Sequence, residues 1–329
     1  MNRILLVKTS SLGDVVHNLP VLSDLSVNFP KAEIDWVVEE PFTPIPQMHG
    51  MIKRVIPVAL RRWRQDLFSM NTWHEISAFR GRLSATRYDA IVDTQGLLKS
   101  ALVVACARGQ KYGLDWHSSR EPLAPFYHQT FRVPWGQHAV ERNRQLAAAA
   151  LGFTLSAPTN YAIRVPDEWL PRLASRLPGH IADSTKGRYA ILLHGTSARQ
   201  KEWPQENWIE LGQALHGRGM VSLLPFGSFA EQTRSENLAN AIPAALVPPR
   251  LELDSLSALL SRATLVVGVD TGLTHLAAAL GRPTVGIYCA TDPRATGLYG
   301  ATRAVNVGGQ GQRGRVEEVL AAADKVLAS

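Results

Sequence analysis

Short apolar runs alternate with longer amphipathic segments along the whole chain. In the first half, the runs that resemble strands are residues 3–8, 33–38, 55–58 and 88–93. A helix is predicted to run from Val15 to Leu25, and another over 138–152, where a glycine follows an alanine run. Alternation of this kind predicts a parallel sheet covered by helices.

The same pattern restarts near residue 188. Further strands are predicted at residues 188–194, 221–225, 246–247, 265–269 and 284–288. Further helices are predicted over residues 208–218, 229–241, 256–263, 273–280 and 315–327. Two successive sets of alternating strands and helices predict an α/β protein with two Rossmann-like halves.

Residues 154–187 are polar and contain several prolines, which is typical of a connection between domains. We therefore expect an N-terminal domain over 1–166, an interdomain linker over 167–187 and a C-terminal domain over 188–329. The closing segment 315–329 is a candidate to pack back on the N-terminal domain. A chain of 329 residues is long enough for two such domains, since a typical domain has roughly 150 residues.

The composition is that of a protein with buried cores, because 45% of the residues are hydrophobic and 19% are charged. No run approaches the roughly 18–20 apolar residues that cross a bilayer, so no transmembrane helix is expected. The first four residues lead directly into a predicted strand, and no secretory signal is expected. The two cysteines, Cys106 and Cys289, are too few and too far apart for a disulfide framework or a metal site, so we expect free thiols in a reducing compartment.

The formal charge of +7 and the pI near 9.6 indicate acidic partners, namely nucleic acid, phosphorylated metabolites or an anionic membrane. The excess lies in one half: residues 1–165 hold 19 Lys and Arg against 13 Asp and Glu, whereas residues 166–329 hold 16 against 15. Residues 53–82 hold seven of the basic side chains against two acidic ones. Such a run often forms only a solvated face, but Trp63 within 61–64 is typical of surfaces that hold phosphates beside apolar groups.

Ligands of open parallel sheets bind outside the carboxyl ends of the strands, where loops lead into helices. The first such loop is 9–14, whose small hydroxyl residues and glycine allow a ligand to approach the backbone. Asp14 lies near the start of the next helix, where a carboxylate either caps the helix or acts on a ligand. Asp93, which ends another strand, is a rival carboxylate, and the pattern alone does not separate the two.

The second loop is 194–204. Gly195, Thr196 and Ser197 can offer N–H and hydroxyl donors to a phosphate, and Lys201 adds a cation for a leaving diphosphate. A lone lysine after a strand is otherwise a solvated surface residue. The loop therefore predicts a phosphate site only in combination with its hydroxyl residues.

The third loop, 269–277, is the most specific, because a carboxylate, a hydroxyl, a glycine and a helix start directly follow an apolar strand. The N–H groups of residues 271–273 would face outward at the positive end of that helix, which suits a diphosphate. A diphosphate would repel Asp270, so this carboxylate is better suited to accept a sugar hydroxyl. His275 either joins the site or packs on its own strand.

Three common motifs are not found where their chemistry would require them. The G-x-G-x-x-G fingerprint is missing from the first strand–turn–helix, whose only glycine is Gly13, and this argues against a dehydrogenase. The P-loop spacing is absent too, which argues against an ATPase or kinase, and the histidines lack the spacing of zinc ligands. No cofactor and no bound metal are therefore expected.

Several segments, taken together and in order, resemble the lipopolysaccharide heptosyltransferases of glycosyltransferase family 9 over nearly the whole chain. They are KTSSLGDVVHNLP at 8–20, DWVVEE at 35–40, RVIPVALRRWR at 54–64, DTQGLLKSA at 93–101, SREPLA at 119–124, HAVERNR at 138–144 and VDTGLTHLAAAL at 269–280. The resemblance implies the GT-B architecture, in which two Rossmann-like domains face a central cleft. It also implies inverting transfer of L-glycero-D-manno-heptose from ADP-heptose to the first Kdo of Kdo2-lipid A, during synthesis of the lipopolysaccharide inner core.

The resemblance assigns roles to individual residues. Asp14, rather than Asp93, matches the general base, and Lys201 matches a catalytic cation beside the departing ADP. Donor contacts are implied for Thr196, Ser197, Lys201, Glu231, Asp270, Thr271, Gly272, Leu273 and His275. Acceptor contacts are implied for Ser11, Gly13, Arg61, Arg62, Arg64 and Arg120. Residues 198–200 are less acidic than the family pattern, which leaves the detailed diphosphate contacts open.

The implied partners are ADP-heptose, Kdo2-lipid A and the anionic surface of the inner membrane, and nucleic acid is not among them. The implied location is peripheral, on the cytoplasmic face of that membrane. One alternative is a heptosyltransferase that acts on heptosyl-Kdo2-lipid A, against which the 61–64 cluster and the SREPLA segment argue. Another is a non-enzymatic basic module that binds nucleotides or nucleic acid, against which the nearly neutral second half argues.

Overall fold

The computed structural model describes residues 1–196 and 198–328. The chain forms two compact units, Met1–Ala162 and Ile163–Ser329. Each unit contains a parallel sheet accompanied by helices, so the predicted α/β class is confirmed.

The described residues of the first unit form a six-stranded parallel sheet. Its strands are β1 (Arg3–Val7), β2 (Glu33–Glu39), β3 (Ile52–Val58), β4 (Arg87–Asp93), β5 (Arg108–Leu114) and β6 (Gln129–Phe131). Their spatial order is β3-β2-β1-β4-β5-β6. The inner strand β1 is almost wholly apolar and buried from its second residue onward, as expected for a strand covered on both faces.

One of the helices predicted in the first unit is two separate helices in the structure. They are α1 (Leu12–Val16), α2 (Leu19–Asn28), α3 (Pro44–Gln47), α4 (Leu60–Gln65), α5 (Met70–Ser84), α6 (Leu98–Cys106) and α7 (Ala139–Leu151). The helix predicted from Val15 to Leu25 is interrupted between α1 and α2, and Pro20 lies in the first turn of α2. Proline lacks a backbone N–H and fits the first turn of a helix, where no intrahelical donor is needed.

Strands β5 and β6 are not predicted by the sequence pattern. Most residues of β5 are half-buried or exposed, and its sequence RGQKYGL contains no apolar run. The three residues of β6, which forms the edge of the sheet, are likewise not fully buried. An edge position removes the continuous burial that makes inner strands recognisable.

The described residues of the second unit form a five-stranded parallel sheet. Its strands are β7 (Tyr189–Leu193), β8 (Val221–Leu223), β9 (Leu265–Val269), β10 (Thr284–Tyr288) and β11 (Ala304–Gly308). Their order is β11-β10-β9-β7-β8. The short strand predicted at 246–247 is reduced to a single bridge between Leu223 and Leu246, and the half-exposed edge strand β11 is not predicted by the sequence pattern.

The segment predicted as a linker, 167–187, is partly helical and belongs to the second unit. The helices of this unit are α8 (Trp169–Arg176), α9 (Gly179–Ser184), α10 (Gln205–Gly217), α11 (Phe229–Ala241), α12 (Leu253–Ser261), α13 (Gly272–Ala279), α14 (Pro293–Thr296) and α15 (Val316–Ala328). Helix α8 packs on α12, and α15 packs on β10, β11 and α10 of its own unit.

Candidate active-site residues

In the first unit, the loop after β1 leads to Asp14, the third residue of α1. Asp14 Oδ2 accepts hydrogen bonds from the backbone N–H of Ser11 at 2.8 Å and from the Ser11 hydroxyl at 2.9 Å. Asp14 therefore supports the start of the helix, in the manner of a capping box. Among the described residues, Asp14 Oδ1 has no hydrogen-bond partner, so one oxygen of this half-buried carboxylate is available to a ligand.

Side chains that follow β4 hold the backbone of the same loop. Gln95 Oε1 accepts the N–H groups of Thr9 at 3.0 Å and of Ser10 at 3.1 Å. Lys99 Nζ donates to the hydroxyl of Ser10. The sequence pattern gives Gln95 and Lys99 no role, because more than eighty residues separate them from the loop and only the pairing of β1 with β4 brings them together.

The rival carboxylate, Asp93, is fully buried. Its Oδ1 accepts the N–H groups of Gln95 at 2.9 Å and of Gly96 at 3.2 Å, and its Oδ2 accepts the Tyr127 hydroxyl at 2.8 Å. Burial raises the pKa of Asp93, although these hydrogen bonds oppose the rise. Both oxygens are used inside the fold, so Asp93 stabilises the turn after β4.

A buried cation, Lys8, lies at the end of β1. Lys8 Nζ donates to the carbonyl oxygen of Thr94 at 2.8 Å and to Asn143 Oδ1 at 3.3 Å. Burial lowers the pKa of Lys8, while the charges of Asp14 and Asp93 oppose that change. Lys8 is therefore close enough to Asp14 for the two charges to interact.

The predicted arginine cluster contains both paired and unpaired side chains. Arg62 is held between Glu40, at 3.1 Å, and Glu75, at 2.8 Å. Arg61 and Arg64 are exposed, and neither forms an ion pair with a described residue. Neither side chain is held in an ion pair, unlike Arg62, so both are available to an anionic ligand.

Arg120 lies with a second arginine on one aromatic ring. The guanidinium carbon of Arg142 is 3.9 Å from the centroid of the Trp135 ring, and that of Arg120 is 5.9 Å from it. Arg142 Nη2 donates to the carbonyl oxygen of Ser118 at 2.7 Å, and its Nε is buried without a hydrogen-bond partner among the described residues. Burial lowers the pKa of Arg142, and the charge of Arg120 lowers it further.

Two cations beside one ring, one with an unused donor, suit a carboxylate or phosphate ligand. Sequence reasoning misses Arg142, although it lies within the HAVERNR segment on which the family resemblance partly depends. A stacking partner seven residues away in a loop leaves no periodic signal that could identify it.

In the second unit, β9 leads into α13 through Asp270. Gly268 allows the helix to approach the strand closely, because a Cβ at this position would lie 2.2 Å from Thr274 Oγ1. The Thr274 hydroxyl donates to the carbonyl oxygen of Val269 at 2.8 Å and ties the helix to the strand. The first N–H groups of α13 therefore follow directly on Asp270, at the helix end that attracts anions.

Asp270 is only 8% exposed and is the centre of a hydrogen-bond network. Lys201 Nζ and the Thr291 hydroxyl each donate to Oδ2 at 2.7 Å, and His275 Nε2 lies 3.3 Å from Oδ1. Burial alone would raise the pKa of Asp270, but the hydrogen bonds from His275, Lys201 and Thr291 outweigh it and hold the pKa below its ordinary value. The structure thus brings together three predicted residues and adds Thr291, which the sequence pattern misses because it follows a different strand.

Lys201 is held through its ammonium group, which donates to Asp270. Two residues further along the chain, Trp203 is fully buried and donates from Nε1 to the carbonyl oxygen of Gly314 at 2.8 Å. An ammonium group has three N–H donors, and the described residues account for one of them. Two donors of a partly exposed cation thus remain for a ligand.

Glu231 lies beside the second predicted loop. Its Oε2 accepts two backbone N–H groups just before α11, at 2.7 and 3.2 Å, and so stabilises the start of that helix. A Cβ at Gly195 would lie 2.8 Å from the Glu231 carboxyl group, so glycine is needed for this close approach. Thr196 is half-buried in the same loop, and Ser197 lies outside the described residues.

Among the residues that the structure describes, no group of three or more His, Cys, Asp or Glu side chains is arranged to hold a metal ion. No helix in residues 1–196 and 198–328 combines the length and apolar character needed to cross a membrane.

Known proteins resemble this chain along most of its length. A family model described as glycosyltransferase family 9 (heptosyltransferase) matches residues 76–321. Lipopolysaccharide heptosyltransferase 1 of Escherichia coli (strain K12) is 44% identical over 306 residues, which are 92% of each chain.

Solved structures match as well. The E. coli heptosyltransferase WaaC with ADP has a TM-score of 0.86 at 41% identity, over 98% of this chain and 99% of that chain. WaaC with ADP-2-deoxy-2-fluoro heptose has a TM-score of 0.81 at 41% identity, over 98% of each chain. These matches confirm the predicted GT-B fold class.

Proposed function

This chain belongs to glycosyltransferase family 9, the heptosyltransferases, and on that premise we propose that it moves L-glycero-D-manno-heptose from ADP-heptose to the first Kdo of Kdo2-lipid A. The observation that carries the proposal is the match over 98% of both chains to WaaC with ADP-2-deoxy-2-fluoro heptose, an analogue of that donor. The reaction is a single displacement with inversion at the anomeric carbon.

We assign the donor to the second unit. Lys201 is oriented by Asp270 and keeps two N–H donors, and the start of α13 adds backbone N–H groups. These groups would stabilise the negative charge that develops on the departing ADP. Asp270 stays ionised, because its pKa is lowered, and can accept a hydroxyl of the sugar. The further assigned contacts are Thr196, Ser197, Glu231, Thr271, Gly272, Leu273 and His275.

We assign the general base to Asp14. An inverting displacement requires one carboxylate to accept the proton of the attacking hydroxyl. Asp14 is half-buried and keeps one unpaired oxygen among the described residues, whereas both oxygens of Asp93 are occupied inside the fold. Ser11 and Gly13, in the same loop, are assigned to the acceptor.

We assign the phosphates and carboxylates of the acceptor to the basic side chains of the first unit. Arg61 and Arg64 form no ion pair with a described residue, and Arg120 shares its ring with Arg142. Arg62 is also assigned to the acceptor, although its charge is balanced by Glu40 and Glu75. The same basic surface would hold the protein peripherally on the cytoplasmic face of the inner membrane.

The decisive experiment supplies ADP-heptose with Kdo2-lipid A and measures ADP release together with the mass of the lipid product. One added heptose is expected on Kdo2-lipid A and none on heptosyl-Kdo2-lipid A. Transfer to the second acceptor only would replace the proposal with the alternative acceptor. Salt-sensitive binding to DNA without turnover of either acceptor would favour the non-enzymatic module.

Replacing both Arg61 and Arg64 by alanine is expected to raise the KM for Kdo2-lipid A about tenfold or more, because each removed cation weakens a charge-assisted contact with the acceptor. The KM for ADP-heptose should change little. Arg80→Ala together with Arg82→Ala is the matched control, since these arginines are also exposed on the first unit. A defect confined to the donor KM would contradict the assignment.

Treatment with EDTA is expected to leave turnover unchanged. Lys201 and the start of α13 would supply the positive potential that a divalent ion could otherwise supply, so the departing diphosphate needs no further cation. The measurement is the initial rate before and after chelation and gel filtration. Loss of activity that Mg²⁺ or Mn²⁺ restores would refute this prediction.

A further inference from the structure

The turn between α4 and α5, together with the first turn of α5, exposes large apolar side chains that no part of the described structure covers. Phe68 is fully exposed, Met70 is 72% exposed, Trp73 is 55% exposed and Leu67 is 48% exposed. Together these four residues form what we call the apolar crest. Single exposed apolar residues are common on proteins, whereas several grouped within seven positions are typical of an interaction site.

The crest is fixed to the body of the first unit rather than loosely attached. Trp73 Nε1 donates to the carbonyl oxygen of Leu67 at 2.9 Å, which joins both ends of the crest. In α4, Trp63 is buried, donates to Glu75 of α5 at 2.8 Å and packs edge-on against Phe79 of α5 with ring centroids 5.7 Å apart. Trp63 and Phe79 belong to the hydrophobic core of the first unit, so the two helices that flank the crest are joined to each other and to that core.

The charges beside the crest identify the partner. Arg61 and Arg64, in the helix that leads into the crest, have no ion-pair partner among the described residues, and the acidic Glu75 on the following helix is occupied by Arg62. Asp66 is the acidic residue that stands between these arginines and Phe68 in the chain. An aromatic and aliphatic tip bordered by cations matches the interface of an anionic bilayer, where apolar side chains enter the acyl boundary and arginines meet phosphates.

We propose that the apolar crest is a membrane-docking surface, which inserts Leu67, Phe68, Met70 and Trp73 into the interface of an anionic phospholipid bilayer. The proposal rests on the proposed function only in that a lipid-borne acceptor gives such a surface a purpose. Binding to the bilayer itself requires neither acceptor nor donor. None of the four side chains has a role in the assigned donor or acceptor contacts.

The test is co-sedimentation of the full chain with vesicles of phosphatidylcholine alone and with added phosphatidylglycerol. Phe68→Ser with Met70→Ser is expected to reduce the apparent affinity for the anionic vesicles about tenfold or more, since each apolar side chain contributes through its buried area. Val27→Ser with Leu102→Ser is the matched control, because these residues are 64% and 53% exposed elsewhere on the first unit. Failure of the wild-type chain to bind anionic vesicles, or equal binding by the two double variants, would overturn the proposal.

Two further measurements distinguish membrane docking from a role of the crest in catalysis or in self-association. With an acceptor embedded in vesicles, the crest variant should lose turnover, whereas with a deacylated, water-soluble acceptor it should match the wild-type chain. Loss with both acceptors would place the crest in the active site and overturn the docking role. An association of wild-type chains that depends on concentration and disappears in the crest variant would make a second copy the partner and likewise overturn it. Absence of turnover by the wild-type chain on both acceptors would refute the proposed function and leave the vesicle result standing.

Discussion

Replacing Asp14 by asparagine is expected to lower kcat by about 10²–10⁴-fold, because the attacking hydroxyl would then lose the group that we propose accepts its proton. Asparagine retains an oxygen that can accept the two hydrogen bonds from Ser11, so the start of α1 should be preserved. The KM for ADP-heptose should stay close to its original value, since Asp14 belongs to the first unit and the donor is assigned to the second. Steady-state kinetics with both substrates varied provide the measurement.

Ser11→Ala is the control for this prediction. It removes the hydroxyl that donates to Asp14 but leaves the carboxylate and the backbone N–H contact in place. A much smaller fall in kcat is expected than for Asp14→Asn. Equal losses of kcat in the two variants would show that the hydrogen bonds between Ser11 and Asp14 matter because they support the helix start, and not because Asp14 is a base. Near-normal turnover of Asp14→Asn would overturn the assignment of Asp14 as the base.

Replacing Lys201 by methionine is expected to lower kcat about 10²–10³-fold, the usual effect of removing one donor aimed at developing negative charge. Affinity for ADP should fall as well, because we assign this cation to the diphosphate both before and after transfer. Methionine keeps most of the aliphatic length of lysine. The measurements are kcat, the KM for ADP-heptose and the dissociation constant of ADP.

Two controls make the Lys201 result interpretable. Lys201 is an ion-pair partner of buried Asp270, so its loss also leaves a carboxylate with fewer hydrogen bonds, and the melting temperature must be compared. Thr291→Val removes another hydrogen bond from Asp270 and leaves the ammonium in place, so its kcat should fall far less. Equal kcat values for Lys201→Met and the wild-type chain would contradict a role in ADP departure.

The inner strands of both sheets are predictable because burial on two faces produces an apolar run. Strand β9, predicted at 265–269, and strand β10, predicted at 284–288, occur with those same limits. Strands β5 and β11 lie at or near a sheet edge and escape prediction. The sequence of β5 has no apolar run, and most residues of β11 are only half-buried. The linker prediction at 167–187 relied on polar residues and prolines, yet proline at the start of a short helix is compatible with helical structure, as α8 and α9 illustrate.

Among the candidate site residues, too, those close together in sequence can be predicted and those that meet only in the fold cannot. Asp270 and His275 can be recognised from the sequence because they are only five residues apart. Asp270 directly follows β9, and His275 lies in the first turn of α13. Thr291 and Gln95 are not, since each reaches its partner from the end of a neighbouring strand. Arg62 and Arg64 look alike in the sequence, and only the positions of Glu40 and Glu75 show which charge is balanced.

Local patterns in the chain suffice to establish an α/β protein, a basic excess in its first half, and candidate chemistry in the loops after three strands. Those properties depend on periodicity and composition, which are local. Periodicity and composition do not separate Asp14 from Asp93, but the folded chain shows how they differ. Parallel pairing of β1 with β4 places Asp93 among buried donors, whereas Asp14 keeps one oxygen without a hydrogen-bond partner among the described residues. Hydrogen-bond partners far apart in the chain and solvent exposure are set by how the strands pair, so periodicity and composition do not reveal this difference.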